Sequence, residues 1–132
     1  MKTRILLIDD ECEFSSMLKG RLERAGYFEV CEENDELQAL KTAREFGPDI
    51  ILLDVMMPNL EGSEVAAKFR ADRLLCNVPV LFLTSLVSGD DAPNGSYNSG
   101  GNTFLPKSLS IDKLIACIGQ TVNESRRVPL AV

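Results

Sequence analysis

Short aliphatic runs alternate with stretches of helical period along the chain, and this alternation restricts the fold more than any other feature. RILLI (4–8) places four apolar residues in a row with no polar residue between them, as a strand covered on both faces requires. A helix follows, with Phe14, Met17, Leu18, Leu22 and Ala25 at spacings of three and four and Gly26 as its stop. FEVCE (28–32) reads as a second, more exposed strand. Asn34 or Asp35 then caps a helix whose apolar face is Leu37, Leu40, Ala43 and Phe46, ended by Gly47-Pro48. DIILLDV (49–55) is the third and most apolar strand, Val65, Ala66, Phe69 and Leu74 mark a third helix, and residues 78–84 form a fourth strand. A fifth strand spans 103–106, and Ser110 caps a last helix carrying Ile111, Leu114, Ile115, Ile118 and Val122 on one face. Strands and helices in strict alternation predict a parallel sheet with helices on both sides.

One segment breaks this order. Residues 86–101, LVSGDDAPNGSYNSGG, stand where a fourth helix belongs but hold four glycines and a proline, which predicts a short, irregular helix or a loop.

The 132 residues suit one domain with its own core, with no repeats and no interdomain linker. A formal charge of -6 argues against direct nucleic-acid binding, which needs clustered Lys and Arg. No apolar stretch approaches the ~18 residues that would insert in a membrane, and the start MKTRILLIDDE is unlike a secretion signal, so a cytoplasmic location is expected. The four cysteines are scattered and read as reduced thiols. With no histidine in the chain, Ser-His, Cys-His and His-metal chemistry drop out, leaving carboxylates, hydroxyls and lysines as reagents.

In an open parallel sheet, ligands bind at the carboxyl ends of the strands. Asp9 and Asp10 end the first strand, Asp54 the third, Thr84 the fourth and Lys107 the fifth, so all five are expected at one edge. Two carboxylates about 5 Å apart at an effective dielectric near 20 repel by roughly 3 kcal/mol, and a single lysine cannot offset three of them. A hard divalent cation can. Mg²⁺, which takes carboxylate, carbonyl and phosphate oxygens while keeping several waters, suits such an oxygen-only site.

Asp9-Asp10-Glu11 after the first strand, LLDVMMPNLEG around Asp54, LTS ending at Ser85 and FLPK ending at Lys107 resemble, in order and spacing, the signature stretches of receiver domains of two-component response regulators. The resemblance runs from about Thr3 to Val122, giving a receiver over 1–122 and a C-terminal tail over 123–132. It implies a flavodoxin-like, doubly wound five-stranded parallel sheet of order 2-1-3-4-5, an order for which receivers are themselves the stock illustration. It also implies that Asp54 is the nucleophile taking a phosphoryl group from a phosphohistidine on a sensor histidine kinase or histidine phosphotransfer protein. Asp10, Asp54 and the backbone carbonyl of Met56 would bind Mg²⁺ directly, with Asp9 acting through water. Lys107 would screen charge on the transferred oxygens, Thr84 would hydrogen-bond the new phosphoryl group, and Phe104 would be the switch aromatic following Thr84 inward. Such a chain catalyses its own phosphorylation and dephosphorylation rather than turning over a substrate. As a stand-alone receiver it would signal through a downstream protein target.

The chain also departs from the pattern. Ser108 stands where the family commonly has proline and a cis peptide, and without proline the cis form costs ~3 kcal/mol. The glycine-rich stretch occupies the place of the helix that usually forms part of the output face. A degenerate receiver that binds partners without phosphorylation is therefore the competing reading. A flavin module needs a glycine-rich phosphate loop where three acids stand, and a dehalogenase-type phosphatase has its nucleophile on the first strand.

Overall fold

The computed structural model describes residues 2–57, 61–85, 97–99 and 102–127. Its elements in chain order are β1 (Thr3–Ile8), α1 (Cys12–Arg24), β2 (Phe28–Glu33), a 3₁₀ turn (Glu36–Gln38), α2 (Ala39–Phe46), β3 (Ile50–Asp54), α3 (Gly62–Ala71), β4 (Val80–Thr84), β5 (Tyr97–Ser99), β6 (Asn102–Pro106) and α4 (Ile111–Arg127). The sheet order is β2-β1-β3-β4-β6-β5. Its first five members are parallel neighbours and match the expected 2-1-3-4-5 order, β6 being the fifth strand of the sequence reading.

The aliphatic runs are covered on both faces. Ile5 and Leu7 of β1, Ile50 and Leu52 of β3, and Leu81 and Leu83 of β4 pack with Leu18 and Leu22 of α1 and Leu114, Ile118 and Val122 of α4. The alternate residues Leu6, Ile8, Ile51, Leu53 and Phe82 pack with Ala39 and Ala43 of α2 and Val65, Ala66 and Phe69 of α3. Period two along a strand thus feeds two separate cores, which is why no polar residue interrupts these runs.

The ends follow local chemistry. Asp35 accepts a hydrogen bond from Leu37 N at 2.9 Å and starts the 3₁₀ turn. Gly47, at φ 67°, closes α2 in the left-handed conformation that favours glycine, its N–H donating to Ala43 O at 2.9 Å. Ser110 Oγ accepts from Lys113 N at 3.3 Å at the start of α4. Arg44 of α2 pairs with buried Asp72 just past α3, its Nε donating at 2.7 Å, and this pair ties the two helices together.

Four expectations change. Leu37 falls in the 3₁₀ turn and is exposed instead of facing the core. The third helix ends at Ala71, so Leu74 is exposed and Leu75 is the buried residue. Tyr97–Ser99, within the stretch expected to be irregular helix or loop, is a strand antiparallel to β6; residues 86–96, where that helix was expected, lie outside the described residues. Finally, α4 continues to Arg127, so residues 123–127, expected in a tail, are helical.

Candidate functional site

Parallel register sets the site. Ile8 pairs with Leu53, Asp54 with Leu83 and Thr84 with Pro106, so the residues that end β1, β3, β4 and β6 reach the same edge of the sheet. Asp9 extends β1 by one bond, its N–H donating to Glu33 O at 3.1 Å. Its Oδ1 then accepts from Glu11 N at 2.9 Å and turns the chain into α1. The Asp9 carbonyl is held from below: Asn34 Nδ2 donates to it at 2.8 Å and to buried Ser15 Oγ at 2.8 Å, and Ser15 in turn donates to Glu32 at 2.6 Å. At β3, Asp54 Oδ1 accepts from Met56 N at 3.4 Å.

Asp9, Asp54 and Thr84 are buried, at 0%, 4% and 3% exposure. Lys107, fixed by its N–H donating to Thr84 O at 2.8 Å, reaches back among the carboxylates. Its Nζ lies 2.8 Å from Glu11 Oε1, 2.9 Å from Asp9 Oδ2 and 3.5 Å from Asp54 Oδ1, and 4.8 Å from the centre of the Phe14 ring. There is no cis peptide among the described residues, so Lys107 makes these contacts with a trans bond to Ser108.

The sequence-predicted residues therefore divide into two groups. Asp9, Asp54, Thr84 and Lys107 meet at the strand ends. Asp10 and Met56 instead line an adjoining cleft that runs to Phe104, whose ring stacks on Phe82 at a centroid distance of 5.1 Å. Glu11 was not among the expected site residues, yet it joins the acidic group, Asp9, Glu11 and Asp54 each offering an oxygen within 4.8 Å of the others. Gly62 was missed too. A Cβ there would lie 2.6 Å from the Asp54 carbonyl oxygen, so only glycine lets α3 start against the end of β3.

Electrostatics follow from the burial. Removal from water, reinforced by the charge of Asp9, pushes Asp54 up to about 6, against the opposing pull of Lys107 and the Met56 N–H. Burial alone would depress Lys107, but pairing with Glu11, Asp9 and Asp54 outweighs it and the ammonium is held above its ordinary value. A carboxyl raised from 3.8 to about 6 favours the folded state below that range, and the advantage is lost as pH rises through it. Metal-free stability should therefore fall between about pH 3 and pH 7 by on the order of 3 kcal/mol more in the wild type than in Asp54→Asn. Urea denaturation in chelator across that range measures the difference.

The donor set fits a hard cation. All the ligating atoms are oxygens, and buried Asp9 Oδ2, although an ion-pair partner of Lys107, takes no aligned hydrogen bond.

A family model for the response regulator receiver domain matches residues 5–119. The chain belongs to that family. This receiver is 33% identical over 128 residues to the DNA-binding dual master transcriptional regulator RpaA of Synechocystis, covering 97% of this chain and 52% of that one. It is 42% identical over 110 residues to the alkaline phosphatase synthesis transcriptional regulatory protein PhoP of Bacillus subtilis, covering 83% and 44%. The receiver thus spans about half the length of the curated relatives it matches. Among solved structures, the Francisella response regulator 1452 receiver domain superposes with a TM-score of 0.75 at 27% identity, covering 94% of this chain and 99% of that one. No helix among the described residues is long and apolar enough to cross a membrane.

Proposed function

We propose that this receiver accepts a phosphoryl group on Asp54 from the phosphohistidine of a sensor histidine kinase or histidine phosphotransfer protein, and that the aspartyl phosphate changes its binding to a downstream protein. The observation that carries this reading is a buried, raised-pKa carboxylate at the end of a central strand with one ammonium 3.5 Å away. In the transfer an Asp54 carboxylate oxygen forms the new P–O bond as the P–N bond to the histidine ring breaks, and the departing ring nitrogen keeps the electron pair. Lys107 offsets charge on the phosphoryl oxygens. Thr84, buried at the neighbouring strand end, turns its hydroxyl to the product in this reading, and Phe104 follows it. Asp10, Asp54 and the Met56 carbonyl would hold Mg²⁺, with Asp9 acting through water. Mg²⁺ when bound supplies the positive charge that one lysine cannot.

Incubation with Mg²⁺ and acetyl phosphate should add one phosphoryl mass to the wild type and none to Asp54→Ala, read by intact-mass spectrometry. No adduct with this or other small donors would favour a phosphorylation-independent binding module.

Mg²⁺ alone should stabilise the fold. At ten times its dissociation constant the gain is about 1.4 kcal/mol, or roughly 3–6 °C in Tm for a domain of this size. Asp10→Asn should shrink that shift, and a Tm indifferent to millimolar Mg²⁺ would exclude the proposed ligand set.

A further inference from the structure

Lys107 is not centred on the residue it is meant to serve. Its ammonium lies nearest Glu11 and Asp9, at 2.8 and 2.9 Å, and farthest from Asp54, at 3.5 Å. The contact with Glu11 is an aligned hydrogen bond, and the Phe14 ring, on the same side, stands 4.8 Å from Nζ. Both residues belong to the start of α1. Glu11 occupies the N-cap of that helix, yet its side chain makes no cap hydrogen bond and turns to Lys107 instead.

We propose that Glu11, backed by Phe14, is a latch that holds the Lys107 ammonium on the α1 side of the site and opposes its move onto a phosphoryl group at Asp54. This rests on the reading that Asp54 is the phosphoryl acceptor. An ammonium has three N–H donors, and three carboxylates surround this one. Of the three contacts the one with Glu11 is the aligned hydrogen bond, so an ammonium drawn toward a phosphoryl oxygen on Asp54, away from the α1 side, has to stretch or break it. Asp54 exchanges its own contact for the phosphoryl oxygens it carries, and Asp9, fully buried, would lose its charge partner at high cost if released. Glu11 has a side chain 63% exposed, and water solvates it as soon as the ammonium leaves. Glu11 is therefore the contact that yields, and its strength sets part of the cost of activation. Glu11 is a positioning residue, acting through Lys107.

Beryllium fluoride with Mg²⁺, a non-transferable phosphoryl mimic, is the probe, titrated into wild type, Glu11→Ala and Glu13→Ala. Glu13 is also exposed in the first turn of α1, so its removal changes the net charge equally and serves as the control. Glu11→Ala should bind the probe about three- to fivefold more tightly than wild type, with Glu13→Ala close to wild type. Equal tightening in both variants would reduce the effect to net charge, and no tightening in Glu11→Ala would overturn the latch. A fall of more than about threefold in Mg²⁺ affinity on Glu11→Ala would also overturn it, because Glu11 would then be a metal ligand.

A second measurement is independent of phosphoryl chemistry. Nitrogen-resolved NMR of the lysine ammonium groups in metal-free protein should show Lys107 protons protected from exchange in wild type and released in Glu11→Ala. If beryllium fluoride fails to bind wild type, the acceptor reading fails while this measurement still decides the latch. A Lys107 ammonium unprotected in wild type, or equally protected in both, would overturn it.

Discussion

Lys107→Met should destabilise the metal-free protein by about 3–5 kcal/mol near pH 8, most of it recoverable with millimolar Mg²⁺. Methionine keeps most of the alkyl stem, so the substitution deletes the charge with little change in packing. What remains is Asp9 and Asp54, both buried, facing Glu11 with no cation among them. Breaking one partner out of a buried ionic group costs more than the group contributed, because the survivors stay desolvated and uncompensated. The variant's one escape is protonation. Asp54 already titrates near 6 with the lysine present, and without it the proton is held more tightly still. The deficit should therefore shrink at about pH 5, where Asp54 is neutral. Urea midpoints at the two pH values, with chelator and with Mg²⁺, give four numbers that separate charge from packing. A loss equal at both pH values and untouched by Mg²⁺ would mean that Lys107 matters for its stem alone.

The strand-end residues were legible because two-face burial leaves the sequence no choice. A run such as IILLD can carry a carboxylate only at its end, where the sheet meets solvent, and parallel pairing then brings several such ends together. Where expectation and structure diverge, the deciding contact lies elsewhere in the chain or the period is too short to read. Glu11 was visible only as a third acid in a row. Its role depends on Lys107, 96 residues away, and on the exact direction in which α1 begins. Gly62 ends the stretch LLDVMMPNLEG, and nothing local in it reports that the Asp54 carbonyl stands against it. Leu37 and Leu74 fit a helical stripe by spacing, yet one sits in a 3₁₀ turn and the other past the end of α3, where 3.6-residue counting no longer applies. Tyr97–Ser99 is three residues beside a glycine pair, too short for alternation to show.

Two glycine substitutions with opposite expected signs test how closely the site depends on backbone approach. Gly→Ala inside a helix ordinarily stabilises by about 0.5–1 kcal/mol, since alanine loses less conformational freedom on folding. Gly119, in α4, has nothing within 4 Å of where a Cβ would stand, so Gly119→Ala should gain about that much. Gly62→Ala should lose about 2–3 kcal/mol, because its Cβ would stand 2.6 Å from the Asp54 carbonyl oxygen and 3.0 Å from Val55 Cα. Those neighbours are backbone and cannot rotate aside. Relief requires α3 to retreat or the end of β3 to shift, and the Gly62 N–H bond to Val55 O, at 2.9 Å, resists both. Any shift at that point moves Asp54 relative to Lys107 and Asp9, so the surviving folded Gly62→Ala protein should show a smaller Mg²⁺-induced rise in Tm than wild type, while Gly119→Ala keeps the full rise. Chemical denaturation for the first effect and thermal melts with and without Mg²⁺ for the second would reveal both. A stabilised Gly62→Ala with an undiminished Mg²⁺ response would show that α3 does not press on the acceptor strand.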